Sequence, residues 1–522
     1  MDTAGFSPQN DSDGVFQFAE TAGPYSVGLC VVEQYDYSRV FRELTDEVGR
    51  PYAGDRARPL QMLVWYPAVS GASAPMTVGD YIALWKSETN FRGTKTPARA
   101  TEWIGAMAPA LEMPLWAVRN AAEAKGKFPL VVYAPSLSSV SWENADLCEF
   151  LASNGYVVIA SPCMGPRTRN MTQDLAGIGA QAGDISFLIG CSRTFANVDA
   201  SRVAVIGFSW GGISNLFAAV NDNRIGALVA LDGSLRNWPG LIRQAAFVHP
   251  QRMRIPLLYI AKAEWTLEER ERLFTAMQMD GPSVLNAWTC GDLVLVQMLG
   301  MTHWQFSSMA QRNGEFWEDF YDPEFIDGRK ADYDRKDGAT AYLWMARYVL
   351  QFLNAQLKED ESAKGFLRRT PAENGVPRHF MEVSYRAAAN VPASFEEFRA
   401  EIGRRGFNEA ETIYSEMERS DPEFKLSEIS VAAWAEELID TDHIAEAVTL
   451  LRLNIRIHPA SAIGYAGLAR GLLLSGGREA AIESYRRSLE FNRRNSLAKR
   501  RLRELTGVAE GDDQCRGGHL HN

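Results

Sequence analysis

The sequence predicts an α/β protein, a mostly parallel sheet with helices on both faces, joined to an all-α unit of helical repeats. Three observations carry this expectation. Strand-like and helix-like segments alternate from about Gly23 to Pro250, the pattern of a parallel sheet covered by helices. Several of the strand-like segments, such as "FPLVVYA" and "YVVIA", are continuous apolar runs suited to burial on both faces. Beyond Ser394 every segment has helical period and the pattern repeats. A chain of 522 residues is also too long for one ordinary core.

In chain order, "RPLQMLVWYPA" (Arg58 to Ala68) alternates as a strand, and a segment with helical patches follows, an insert at about 78–125. "FPLVVYAP" is the next strand, then the helix "DLCEFLASNG", which closes on Gly155, and the strand "YVVIASP". "GDISFLIGCSRTF" reads as helix, "RVAVIGF" as strand and "GISNLFAAV" as helix. "IGALVALDGS", "IPLLYIAKAEW" and "DLVLVQMLGMTHW" add three strands, and the amphipathic helix "TAYLWMARYVLQFLNAQLK" closes the unit near Lys358. These elements set the first domain at 1–370. "RRTPAENGVPRHF" opens a linker at 371–393, helical repeats occupy 394–507, and the glycine-rich tail 508–522 is expected to be disordered. In the repeats Ala435 and Leu438 recur as Ala469 and Leu472. Likewise Ala447, Val448 and Ile455 recur as Ala481, Ile482 and Leu489, all at an offset of 34, the period of a tetratricopeptide helix pair. A looser copy sets Ala410 and Pro422 opposite Ala447 and Pro459 at an offset of 37.

Composition excludes several function classes. The 54 basic and 65 acidic residues leave a formal charge of −11, which offers no field to nucleic acid or anionic lipid. The longest apolar runs fall well short of the ~20 residues of a membrane-spanning helix. The N-terminal "MDTAGFSPQNDSDGVF" lacks a basic region and an apolar segment, so no signal peptide is expected. That suits a cytoplasmic chain or the mature form of an exported bacterial protein. Cys30, Cys148, Cys163, Cys191, Cys290 and Cys515 are scattered with no CxxC pair, which argues against a zinc site or a disulfide framework. Cys515, His519 and His521 share the tail, and no metal or cofactor is expected. The arginines from Arg486 to Arg503 read as a solvated helical face.

The chemistry gathers at "VAVIGFSWGG". A lone G-x-S-x-G is cheap in a glycine-rich chain, but Gly207-Phe208-Ser209-Trp210-Gly211 lies between a strand and a helix. That is the setting in which a serine hydroxyl projects from a sharp turn above a sheet. A serine needs a base, and the base needs a partner to hold its tautomer. Of the seven histidines, His443 and His458 fall in the repeats and His519 and His521 in the tail. His249 precedes a strand and His379 sits in the linker. His303 follows the last strand-like segment, where the order serine, acid, histidine puts the base. Asp232 ends the strand after the nucleophile helix and is the favoured acid; Glu264, at the end of the next strand, is the alternative. The oxyanion donors fall on the amide of Trp210 and on the loop Pro135-Ser136-Leu137-Ser138-Ser139, where proline has no N–H and Leu137 or a neighbour must serve.

These segments, with "GPYSVG", "FPLVVYAPSLSS", "VALDGS", "IPLLYIAKAE" and "GMTHWQFS" in the same order, resemble the platelet-activating factor acetylhydrolases over about Gly23 to Leu357. The resemblance implies an α/β-hydrolase fold and an esterase with Ser209 as nucleophile, Asp232 as acid, His303 as base, and Leu137 and Trp210 as oxyanion amides. It also implies that Glu264 sits on a strand end outside the triad. Two departures border the pocket: Pro135-Ser136 stands where the family carries a His-Gly pair, and Phe208 where it often has histidine before the serine. Trp142, Phe208, Trp304, Phe306 and the segment from Asp80 to Trp116 are the candidates to wall an acyl pocket. The C-terminal region is similar to the tetratricopeptide modules appended to bacterial hydrolases. It is expected to bind a protein partner, to self-associate, or to brace the first domain. The expected activity is hydrolysis of small to medium acyl or lipid-like esters through an acyl-enzyme. A serine peptidase or amidase of the same fold, and a non-enzymatic scaffold, are the alternatives.

Overall fold

The strands are β1 (Ser26–Val40), β2 (Ala57–Ala68), β3 (Ala117–Arg119), β4 (Phe128–Ala134), β5 (Val157–Ala160), β6 (Val198–Phe208), β7 (Ile225–Leu231), β8 (Leu257–Lys262), β9 (Leu293–Met298) and β10 (Met381–Arg386). In this computed structural model they form one sheet in the order β10-β9-β8-β7-β6-β4-β5-β2-β1-β3. The run from β5 through β9 is parallel, while β2 pairs antiparallel with both β1 and β5. The structure describes residues 15–46, 48–262, 266–276, 283–313, 335–377, 380–389 and 392–507. The chain divides into two units, Met1–Val391 and Pro392–Asn522.

The central strands β2 and β4 to β7 are buried along most of their length, as the unbroken apolar runs predict for strands covered on both faces. Side chains on one face, among them Val131, Tyr133, Ala204 and Ile206, pack under the helices Ala145–Ser153 and Arg335–Leu357. Those on the other, among them Leu130, Val132, Val203 and Val205, pack under the helices Leu175–Ser192 and Trp210–Asn221. The insert folds as helices Val78–Ala83 and Ala98–Ala106 and returns through β3, which pairs parallel to β1. The stretch expected as a linker is corrected in part: Met381–Arg386 adds to β9 as an antiparallel edge strand. Met-Glu-Val-Ser-Tyr-Arg alternates apolar and polar residues, the pattern of a half-buried edge strand, but it follows a Pro- and Gly-bearing run that reads as linker. The expected tail 508–522 lies outside the described residues.

In the second unit the helices Glu428–Asp440, Ala462–Leu474 and Ser496–Thr506 begin 34 residues apart, as do Ile444–Ile457 and Arg478–Phe491. The repeat extends to its polar contacts. Asn454 Nδ2 donates to the Glu428 carbonyl at 3.1 Å, and Ser488 Oγ, 34 residues on, donates to the Ala462 carbonyl at 2.7 Å. Ala435, Ala447, Ala469 and Ala481 are fully buried, where small side chains let paired helices approach.

The helix Leu175–Ser192 is long and apolar enough by composition to cross a membrane, yet its polar residues are spoken for inside the first unit. Arg58 on β2 and Asp184 on this helix are both buried. Arg58 Nε and Nη2 reach the two Asp184 oxygens at 2.6 Å each, and Nη1 and Nη2 reach the carbonyls of Gly165 at 2.7 Å and Met164 at 3.0 Å. Burial of a guanidinium is tolerable only when its charge is paired and its donors are matched, as four of the five N–H groups are here. Replacing Asp184 by Asn is expected to lower stability by about 3–5 kcal/mol, read as a fall in the urea midpoint of the first unit. Arg39→Gln, removing a partly exposed partner of the same carboxylate, is expected to cost far less.

Candidate active site

Ser209 links β6 to the helix Trp210–Asn221 with φ 52° and ψ −115°, a conformation that side chains rarely adopt and that costs roughly 1–3 kcal/mol. Backbone bonds hold it there. Ser209 N–H donates to the Leu231 carbonyl at 3.0 Å, and its own carbonyl accepts from Gly212 at 3.0 Å and Ser234 at 2.8 Å. The surrounding glycines are steric necessities. A Cβ on Gly207 would lie 2.3 Å from the Gly211 backbone, one on Gly211 would lie 2.1 Å from the Ala134 carbonyl oxygen, and one on Gly212 would lie 2.5 Å from Gly233 Cα.

His303 opens a short 3-10 turn, His303–Phe306, after β9, and Thr302 and Gln305 close a capping box around it. Its Nε2 stands 3.0 Å from Ser209 Oγ, and its Nδ1 hydrogen-bonds Asp232 Oδ2. Asp232 follows β7 at φ 41°, with its N–H on the Ile260 carbonyl at 2.6 Å and its Oδ1 accepting from the Lys262 N–H at 3.3 Å. Burial pushes the Asp232 carboxyl up, but the charge and hydrogen bond of His303, with Lys262 beyond, outweigh it and hold the group below the usual aspartate range. Three residues 23 to 94 positions apart in sequence are thus joined in one hydrogen-bonded line, while Glu264 lies outside the described residues.

Ser209 and His303 open into a cleft of about 250 Å³, lined also by Trp85, Trp103, Trp304, Met309 and the loop from Ser136 to Val140. Leu137 sits on that loop, and Ser138 beside it has φ 56°. The loop is held from below by Glu143, which accepts from the Ser136 N–H at 2.8 Å, from the Ser136 hydroxyl, and from Tyr133 at 3.2 Å. Burial pushes the Glu143 carboxyl up, and the hydrogen bonds from Ser136 offset part of that rise. Gln181 Nε2 donates to the Pro135 carbonyl at 2.8 Å.

Of the four aromatic residues expected at the pocket, Trp304 lines it. The other three are corrected to positions behind the wall, where burial removes their rings from water. Phe208 is fully buried and packs between His303, 5.1 Å away, and Phe306, 6.4 Å away. Trp142 is buried edge-on against Trp85. The Trp210 ring turns to the opposite core face against Trp238, 6.0 Å away. Trp85 and Trp103 come from the insert, within the segment expected to wall the pocket. The insert is pegged by Glu149, which accepts from Tyr81 and from the Trp116 N–H, both at 2.5 Å. Burial lifts that carboxyl to about 7. No local pattern in the sequence marks Glu143 or the other residues that fasten the loop.

The sheet order, the turn at Ser209 and the histidine after β9 are those of an α/β-hydrolase fold, and residues 131–370 match the model of the alpha/beta hydrolase family. Among solved structures, a ferulic acid esterase from Streptomyces cinnamoneus is similar to this chain at 20% identity and a TM-score of 0.46, covering 70% of this chain and 98% of its own. No curated protein matches the chain.

The glycine cluster gives a sharp test of the site's geometry. Gly211→Ala sets a methyl group 2.1 Å from a backbone oxygen, so it is expected to lower the thermal midpoint by several degrees or prevent folding. Gly105→Ala, in the insert helix with open space around it, is expected to leave the midpoint unchanged or slightly raised.

Proposed function

We propose that the first unit is a serine carboxylic-ester hydrolase working through an acyl-enzyme. The observation that carries this reading is the line Ser209 Oγ to His303 Nε2 to Asp232, opening on a cleft walled chiefly by tryptophan, serine and aliphatic side chains. In this reading Ser209 Oγ attacks the ester carbonyl carbon as its proton passes to His303 Nε2. Asp232 keeps the other ring nitrogen protonated and balances the imidazolium that forms. The negative oxygen of the tetrahedral intermediate is held by the amides of Leu137 and Trp210. Collapse expels the alcohol, which takes its proton from His303. A water molecule then repeats the sequence in reverse, giving its proton to His303, attacking the acyl carbon, and releasing the acid as Ser209 recovers its hydrogen.

The tryptophans and Met309 of the cleft wall suit a small to medium acyl group. The likeness to platelet-activating factor acetylhydrolases in "GFSWGG", "VALDGS" and "GMTHWQFS" supports the same chemistry. The second unit is in this reading a tetratricopeptide-like array.

A panel of p-nitrophenyl esters from acetate to palmitate, run beside peptide p-nitroanilides, tests both activity and class. The expected result is turnover that peaks at short to medium chains and is negligible on anilides, with Ser209→Ala reducing kcat by at least about 10⁴-fold at an unchanged thermal midpoint. Undiminished turnover in Ser209→Ala, or anilides cleaved faster than esters, would contradict the proposal.

A further inference from the structure

The oxyanion loop carries a fastening that the proposed chemistry does not itself require. Arg169, on the connection after β5, lies behind Ser138 and Ser139 and spends all five guanidinium N–H groups on fixed acceptors. Nη1 donates to the carbonyls of Ser138 and Cys163, both at 3.0 Å. Nη2 donates to the Ser139 carbonyl at 3.0 Å and to Glu88 Oε2 at 2.9 Å, and Nε donates to the same carboxylate oxygen at 3.1 Å. Glu88 is buried and belongs to the insert, three residues after Trp85 of the cleft wall. The Ser138 hydroxyl accepts from the Met171 N–H at 2.7 Å, two residues beyond Arg169.

We propose that Arg169, anchored by Glu88, is a positioning residue that sets the orientation of the oxyanion loop. The proposal rests on the acyl-transfer reading of the Ser209 site. Ser138 occupies left-handed backbone space without being glycine, so the loop needs outside restraint to keep that shape. Arg169 supplies it by engaging the two carbonyls that follow Leu137. With those oxygens drawn to a cation away from the cleft, they cannot rotate toward a developing negative charge, and the Leu137 amide stays aimed at it. Arg169 itself is not among the residues that line the cleft, so it acts through the loop and not on substrate. A lysine has three donors on a point charge and cannot reproduce this five-way planar match.

Arg169→Ala, Arg169→Lys and Glu88→Gln would be compared with the wild type on p-nitrophenyl butyrate, each with its thermal midpoint. Arg169→Ala is expected to lower kcat by about 10- to 100-fold, the scale on which a small misplacement of a catalytic group acts, while KM moves by less than about threefold. Free guanidinium ion is expected to restore part of the loss in Arg169→Ala and none in Ser209→Ala. Binding of an alkyl trifluoromethyl ketone, which forms a tetrahedral oxyanion with serine, is expected to weaken by the same factor as kcat/KM, with binding of the matching dialkyl ether unchanged. Arg169→Lys restores part of kcat at most, and Glu88→Gln shifts kcat and ketone binding in the same direction by a smaller factor. If Arg169→Ala does not fold, those last two variants carry the test. Wild-type kcat in the folded Arg169 variants, or equal weakening of ketone and ether, would overturn the clamp. A wild-type enzyme that the ketone does not inhibit would overturn the acyl-transfer reading instead.

Discussion

The fold of the first unit is organised around a backbone that must pass within contact distance of itself at one point. Gly207, Gly211 and Gly212 leave no room for a Cβ, because the turn at Ser209 is wedged between the end of β4 on one side and Gly233 on the other. Everything at the site follows from that contact. It fixes Ser209 at φ 52°, directs its hydroxyl away from the sheet, and sets the first turn of the following helix against the loop after β4. Parallel pairing of β6 with β7 and of β7 with β8 then brings Asp232 to the same sheet edge. The strain at Ser209 is small beside the apolar area that the strands bury, so the turn is a local cost met by the whole core.

Electrostatics completes what sterics begins. Asp232 is buried yet stays ionised because a histidine and a lysine face it; left alone, the same burial would neutralise it. Glu143 and Glu149, on or just before one helix, are lifted instead. They serve as acceptors for backbone and hydroxyl donors of the loop and the insert. These three acids thus divide by environment: one is kept charged against the imidazole, and two hold the surrounding walls in place.

Much of the fold and the central line of the site was legible in the sequence, for a physical reason. Buried parallel strands are short apolar runs, and the residues that leave them at their C-terminal ends, Ser209, Asp232 and the turn at His303, stand out as polar groups at fixed places in that rhythm. What did not show depends on pairing across long sequence separations. Arg169 finds Glu88 across 81 residues, and Arg58 finds Asp184 across 126, with nothing local to mark either partner. The direction of a ring was equally hidden. Phe208 and Trp210 flank the same serine, and only the pleat and the helix that follows decide that both turn into the core. β10 alternates apolar and polar residues as an edge strand does, but it stands beyond the closing helix and behind a Pro- and Gly-bearing run, so only its pairing with β9 declares it.

The central claim is that His303 activates Ser209, and reaction with a fluorophosphonate probe, mapped by mass spectrometry, tests it most directly. The account predicts a single adduct on Ser209 in the folded protein, with the labelling rate falling by at least about 10³-fold in a folded His303→Ala variant. An unlabelled wild-type protein, or labelling of Ser209 at the same rate without His303, would contradict it.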